Sequence, residues 1–394
     1  MLEPLLPVLL GQDLNAYGVA VSMHEAFGLC SLALGRYRCG ICSTSSIVSC
    51  EVVPALSSGR VALDALGRIA DRYRERELLL VPCNDPYLAF VEEHRETLAK
   101  RYRFVIPPRE LYETVCDKYA FYSLLDRYGI PYPNTELLEP DTSPTIAPPW
   151  VLKPSDSVDY YSHPFDGMRK VYFPKSLPEA QTIARTIRSS GYRGKLLLQE
   201  FIVRDRAFVL TVMAERERGV RVASLAEVVV EECAPGARGN YCALLVRPLN
   251  DFAKRLIAFC NAVGYHGIAN FDILEREGRL YCLEMNPRQG RSSDYLRGAG
   301  HSVGAFLQAV ARGEPYPVRM RSTPIYWHAV PHRTVRALAS PRLVEECDAR
   351  VREGFDFSPF RYDADYRFHP LRRAYVHIHA HRRGKALYRY ATTL

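Results

Sequence analysis

ANFDILEREGRLYCLEMNPRQGRSSDYLR (residues 269–297) holds two apolar runs, 269–274 and 280–285, on either side of Arg276-Glu277-Gly278. Runs of this length around a turn predict a β-hairpin, here with a three-residue loop ending in a left-handed Gly278. Placing Glu275 opposite Arg279 sets Asp272 opposite Cys282. Glu284 is then the diagonal neighbour of Asp272, roughly 7–8 Å away on the same face. Asn286, two residues further, returns to that face. Carboxylates on apolar strands are costly unless a partner compensates their charge. Mg2+ is such a partner: it takes carboxylate and amide oxygens and keeps phosphates as further ligands. The competing reading makes Asp272 and Glu284 ordinary surface positions. Against it stand the residues after Asn286: Pro287, then Arg288 and Arg291, an anion-binding cluster. A metal site at Asp272, Glu284 and Asn286, beside arginines that act on substrate anions, suits phosphoryl chemistry.

Upstream, the pattern changes twice. Residues 8–10, 31–34 and 78–81 are short apolar runs separated by the helically spaced stretches 17–27 and 63–73. This alternation predicts a parallel α/β sheet, with Gly11, Asp13 and Asn84 at the carboxyl ends of strands where ligands sit. A helix is expected over 116–128, stopped by Gly129 and the Pro131/Pro133 pair. After a proline-rich connection at 139–149, strands are expected at 151–153, 196–201, 208–214, 222–230, 241–246, 269–274 and 280–285, with one helix at 252–263. That is an α+β pattern, unlike the first hundred residues.

The 394-residue chain is long enough for two or three cores, and its 47% apolar and 24% charged content is that of ordinary globular domains. Its eleven cysteines are scattered and odd in number, which reads as reduced thiols rather than a disulfide frame. Cys39 and Cys42 form one C-x-x-C with no second pair at zinc spacing. The opening MLEPLLPVLL lacks a basic start and carries Glu3 and two prolines, so it reads as a stub before a strand rather than a leader. No run of 18 apolar residues is present, and a cytoplasmic location is expected. The net charge of +8 is concentrated at the end, where residues 361–394 hold eight Arg or Lys against two Asp. Such a segment fits a phosphorylated substrate, peripheral contact with an anionic membrane face, or a solvated edge strand at 374–380, AYVHIHA. Nucleic acid is not an expected partner, and oligomeric state is not legible.

With the hairpin in place, the chain resembles the ATP-grasp superfamily over roughly residues 116–300. Asp117-Lys118 stands where that domain opens, and Lys153 lies in VLKP at a strand end. Residues 155–170, SDSVDYYSHPFDGMRK, from Ser155 to Lys170, fit its phosphate-covering lid. Gln199-Glu200-Phe201-Ile202 fit the adenine hinge, Asp205 the ribose contact, and Asp272, Glu284 and Asn286 the metal set. The resemblance implies an α/β pre-ATP-grasp parallel-sheet domain (1–115), an α+β ATP-grasp domain (116–318) and a small basic C-terminal segment (319–394). It implies ATP bound by Lys118, Lys153, Ser155, Lys170, Gln199, Glu200, Ile202 and Asp205, and two Mg2+ ions bridging the phosphates. Arg288 and Arg291 would stabilise an acyl phosphate and the later oxyanion.

A narrower likeness lies in GQDLNAYGVAVSMHEAFG (11–28), KPSDSVDYYSHPFDGMRK (153–170), EEC with GNYCA (231–233 and 239–243) and EMNPRQGRSSDYLRGAGH (284–301), which resemble the bacterial D-aspartate ligases of cell-wall synthesis. That family implies activation of the β-carboxylate of D-aspartate and its attachment to the lysine side-chain amine of a peptidoglycan precursor. Val203-Arg204 follows the hinge where Pro-Gly is expected. The alternatives are an ATP-grasp ligase for another amino acid or amine, and a nucleotide-binding regulatory protein with a degenerate site. A dinucleotide oxidoreductase is disfavoured because the first apolar run leads into Gly11-Gln12-Asp13 without G-x-G-x-x-G.

Overall fold

The computed structural model describes residues 5–56, 59–140, 143–232 and 239–391, with side chains as far as Arg389. The start of the opening stub, Cys233 of the EEC stretch and the Tyr390 side chain lie outside the described residues. Four short strands come first: β1 (Leu6–Leu10), β2 (Ser31–Gly35), β3 (Val48–Val52) and β4 (Leu78–Pro82). They form a parallel sheet in the order β3-β2-β1-β4. β1, β2 and β4 are buried along their whole length, which is why they read as unbroken apolar runs. Asp13 and Asn84, just beyond β1 and β4, cap the helices Leu14–Phe27 and Asp85–Glu93 by accepting from backbone amides. This leaves Asp85 half-buried in the first turn at the sheet's carboxyl edge.

The helix expected over 116–128 runs Lys118–Arg127, capped by Asp117 and stopped by Gly129 at φ 60°. Three antiparallel strands, β5 (Thr135–Leu137), β6 (Trp150–Pro154) and β7 (Leu196–Glu200), form a small sheet in the order β5-β7-β6. The large sheet is built from β8 (Arg206–Glu215), β9 (Gly219–Glu231), β10 (Tyr241–Arg247), β11 (Gly267–Arg276), β12 (Arg279–Asn286), β13 (Tyr326–His328) and β14 (Asp356–Phe357). Its order is β12-β11-β8-β9-β10-β13-β14, so two strands from beyond residue 318 extend it.

One apolar cluster runs from the first sheet to the large one. Within it the Leu14–Phe27 helix lies on the Val303–Ala311 helix at Gly304, where a Cβ would fall 2.8 Å from the Ser22 backbone. That close approach brings the carboxyl edge of the first sheet to the end of the hairpin. The stretch 374–380 is not an edge strand. It lies inside the single helix Pro370–Ala391, whose buried positions Arg372, Val376, Arg383 and Leu387 recur at helical spacing. Among the described residues no helix is long and apolar enough to cross a membrane.

Candidate active site

The hairpin forms, with a different register. Arg276 pairs with Arg279 and Ile273 with Cys282, so the loop has two residues, Glu277 and Gly278. Both take positive φ, 51° and 74°, the left-handed pair of a tight hairpin turn. Between Ile273 and Asp272 the register slips by one residue at Leu283, and Asp272 comes directly opposite Glu284 rather than diagonal to it. Asn286 reaches the same place, its Nδ2 lying 3.4 Å from Asp272 Oδ2. The Tyr241 hydroxyl donates to Asp272 Oδ1 at 2.7 Å from β10.

Two carboxylates this close cannot both ionise freely. Burial, then the Glu284 charge, pushes the Asp272 carboxyl well above the usual carboxylate range. Glu284 goes the other way. Burial works to raise it, but the charges of Lys170, Lys118 and Lys153 outweigh that and hold it well below the usual carboxylate range. These lysines do not close onto it. Lys170 Nζ stands 3.8 Å from Oε1 and Lys118 Nζ 3.9 Å from Oε2, beyond hydrogen-bond length. Lys118 Nζ donates instead to Ser157 Oγ at 2.9 Å.

Lys153 is buried on β6 and donates to Tyr122 Oη and Gln199 Oε1, both at 2.9 Å. Neither partner is charged, and burial lowers the Lys153 ammonium to about 8. Tyr122 donates to the Leu283 carbonyl at 2.7 Å, tying this lysine to the slipped residue of the hairpin. Gln199 therefore faces Lys153. Glu200 lies at the end of β7, where its Oε2 accepts from Asn134 Nδ2 at 2.8 Å. Ile202 follows on the connection to β8.

Two expected nucleotide contacts are otherwise engaged. The buried Ser155 hydroxyl donates to Asp117 Oδ1 at 2.7 Å and accepts from the Tyr119 amide at 3.2 Å, so it secures the start of the Lys118–Arg127 helix. Asp205 accepts from the Glu277 amide at 2.7 Å and braces the hairpin turn. The stretch 155–170 carries a short helix, Ser157–Tyr161, and the Tyr160 and Tyr172 hydroxyls meet at 2.7 Å.

The arginines separate in kind. Arg288 makes a two-pronged pair with Asp85, Nε to Oδ1 and Nη2 to Oδ2 at 2.7 Å each. Arg291 has no hydrogen-bond acceptor among the described residues, and its closest carboxylate, Glu232, is 3.9 Å away. Asp85, Tyr122 and Tyr241 went unassigned in the sequence. Only Asp85 had a usable signal, its position after an apolar strand at the carboxyl edge of a parallel sheet.

No protein-family profile matches the chain. It is 30% identical over 320 residues to a D-aspartate ligase of Enterococcus faecium, a match covering 77% of this chain and 76% of the relative. Its fold is similar to the biotin carboxylase domain of the 2-oxoglutarate carboxylase of Hydrogenobacter thermophilus, solved with MgADP and bicarbonate. That likeness has a TM-score of 0.62 at 16% identity and covers 81% of this chain and 73% of the other. An L-amino acid ligase from Bacillus licheniformis superposes with a TM-score of 0.58 at 16% identity, over 84% and 81% of the two chains. Together with the facing carboxylates and their lysines, the first of these relatives shows that the chain belongs to the D-aspartate ligase family of ATP-grasp carboxylate–amine ligases.

Proposed function

We propose that this enzyme uses ATP to join the β-carboxylate of D-aspartate to the side-chain amine of a lysine in a peptidoglycan precursor. One observation carries the reading: a carboxylate pair faced by three lysines that stop short of it, a set of charges that neutralise one another only in part. Phosphates fit between lysines and a divalent cation fits the carboxylates. An added positive charge would relieve the Asp272 carboxyl, which burial and Glu284 hold up, so the donor set suits Mg2+. Asp272, Glu284 and Asn286 would hold it, as two ions, and it would supply charge neutralisation at the phosphates.

The rest is done by the chain. Lys118, Lys153 and Lys170 hold the phosphates as point charges, while Gln199, Glu200 and Ile202 line the adenine side. The stretch 155–170, ending in Lys170, closes over them and excludes water. The substrate carboxylate attacks the γ-phosphorus, the bond to ADP breaks, and an acyl phosphate forms. The amine then attacks the acyl carbon, loses a proton, and phosphate leaves. Arg288, fixed by Asp85, stabilises the charge that develops on oxygen, and Arg291 acts on a substrate anion.

The test is ADP release with D-aspartate, L-aspartate and other amino acids, each with and without a lysine-containing precursor. Release that requires both D-aspartate and the precursor is expected. Release driven equally by a different amino acid would replace the donor, and release with no amine dependence would remove the ligation step.

A further inference from the structure

The C-terminal helix brings a second arginine to the one that follows the hairpin. Arg383 is more than nine-tenths buried. Its Nε and Nη2 donate to Glu232 Oε1 at 3.0 and 2.6 Å, and Nη2 also lies 3.6 Å from Cys242 Sγ. Its Nη1 is buried and has no hydrogen-bond partner among the described residues. Arg291 Nη1 lies 3.9 Å from the same Glu232 oxygen, and the buried Arg291 Nε is likewise without a partner among the described residues. Two guanidiniums thus crowd one carboxylate oxygen, with N–H donors of both left over. A buried donor left unmade is destabilising, so a fold that keeps one on each of two arginines around a single carboxylate is shaped for an acceptor.

The cluster adjoins the reacting centre. Cys242 follows Tyr241, the residue that holds Asp272. Asp13, whose Oδ1 is taken by the amides of Asn15 and Ala16, feels the charges of both Arg291 and Arg288, and Arg288 in turn feels Glu284. His379 also lies near. Burial, then Arg383 and Arg291, lower it to about 4, so it is neutral at pH 7.

We propose that Arg291 and Arg383, spaced by Glu232, form the subsite for the second, non-reacting carboxylate of a dicarboxylic amino acid. The inference rests on the ligase reading above. It assigns to the C-terminal helix the discrimination between dicarboxylic donors and shorter ones. The plain alternative is a clamp that fastens this helix to the sheet.

The two part company over aspartate and β-alanine. β-Alanine keeps the carboxylate to be activated and the amine but lacks the other carboxylate. Steady-state kinetics of the full chain with each donor, at saturating ATP and precursor, give the preference as a ratio of kcat/KM. Arg383→Met is expected to lower that ratio about 10- to 100-fold, through KM for aspartate, with KM for ATP unmoved. Arg383→Lys keeps the charge and the stem but loses the fork, and makes the same test if Arg383→Met does not fold. A clamp would shift the melting temperature and depress both donors alike, and an unchanged ratio in the lysine variant overturns the subsite. A wild-type enzyme that uses β-alanine as well as aspartate overturns it while leaving the ligase reading standing. A wild-type enzyme that releases no ADP with any donor overturns that reading itself.

Discussion

Two glutamates of the large sheet, on strands separated by β11 and β8, meet their cations in opposite ways. Glu227 on β9 is closed in. Its Oε1 accepts from Arg206 Nε at 2.8 Å and Arg342 Nη2 at 2.6 Å, and its Oε2 from Arg206 Nη2 at 3.0 Å and Arg247 Nε at 2.8 Å. Burial works to raise its carboxyl, but the bonds from Arg206 and Arg342, then Arg247, bring it down to about 2. Glu284 on β12 is surrounded as densely, yet by lysines 3.8 and 3.9 Å away, and its neighbour Asp272 is left high. The first cluster uses planar forks that satisfy every oxygen. The second uses point charges that stop short. A network that closes on itself stabilises the fold, whereas one held open keeps its field for a ligand.

Exchanging each glutamate for glutamine breaks the comparison at its strongest point. Glu284→Gln is expected to lower kcat/KM by about 10³-fold or more, with the melting temperature unchanged or raised, because a desolvated charge is removed from an unclosed site. Glu227→Gln is expected to do the reverse. It should cost about 1–3 kcal/mol in urea unfolding, moderated by the partial exposure of Arg206 and Arg342, with turnover per folded molecule retained. Its pH signature has a definite sign. The folded Glu227 carboxyl titrates near 2 against an ordinary 4.5, so its contribution is complete above about 4.5 and lost as pH falls towards 2. That acid limb should vanish in Glu227→Gln. Equal losses of activity from both exchanges would sink the distinction.

Lys153 sharpens it further. Burial lowers this ammonium from 10.5 to about 8, with only Tyr122 and Gln199 as partners. Its charge is present below pH 8 and lost above, so kcat/KM for ATP should fall on the alkaline side with an apparent pKa near 8. Stability moves the other way. The burden of holding a buried ammonium is greatest below pH 8 and is relieved as pH rises towards 10.5. Lys153→Met should therefore lower kcat/KM for ATP about 10- to 100-fold, erase the alkaline limb, and raise stability most at pH 7. A pH profile identical in the wild type and the variant would assign that limb elsewhere.

The sequence made the hairpin legible because spacing alone places Asp272, Glu284 and Asn286 within reach of one another. The register was not legible. Glu277 takes a left-handed conformation that a non-glycine residue adopts rarely, and a one-residue slip at Leu283 leaves no trace in an alternating pattern. Both errors run in the same direction, and together they turn a diagonal pair into a facing one. The C-terminal helix was hidden for a different reason. Its buried stripe is Arg372, Val376, Arg383 and Leu387, so two of the four positions that would betray a helix are charged. The apolar alternation of 374–380 offered a strand in its place. Arg372 is buried against the Tyr17 ring, 4.1 Å from its centroid, and bonds to the Ile41 carbonyl. Asp85 as the partner of Arg288 lies 203 residues away, and no local pattern reports a contact of that kind.

That burial also reduces what the basic tail has available for a large substrate. Of the arginines in this basic segment, Arg372 and Arg383 face inward, and Arg373 and Arg382 remain exposed with Lys385 beside them. Of the aromatic rings on this helix, Tyr375 is packed on His379, while Tyr388 is 39% exposed. The smallest expected effect belongs here. A nucleotide-linked precursor carries a diphosphate, and exposed arginines raise its encounter rate rather than fix its pose. Arg373→Gln with Arg382→Gln should raise KM for the precursor about 2- to 5-fold at low ionic strength, leaving KM for ATP and for the amino acid in place. Salt should reproduce the effect in the wild type, because charges on an exposed helix are screened over roughly 10 Å at 0.1 M. The contrast with Arg383 is then direct: the outer arginines act on one substrate and yield to salt, and the inner one acts on another and does not. A precursor KM that stays constant in the double variant at low salt would reduce the outer face to a solvated surface, and an amino-acid KM that rises with it would mean that the two faces of the helix do not act separately.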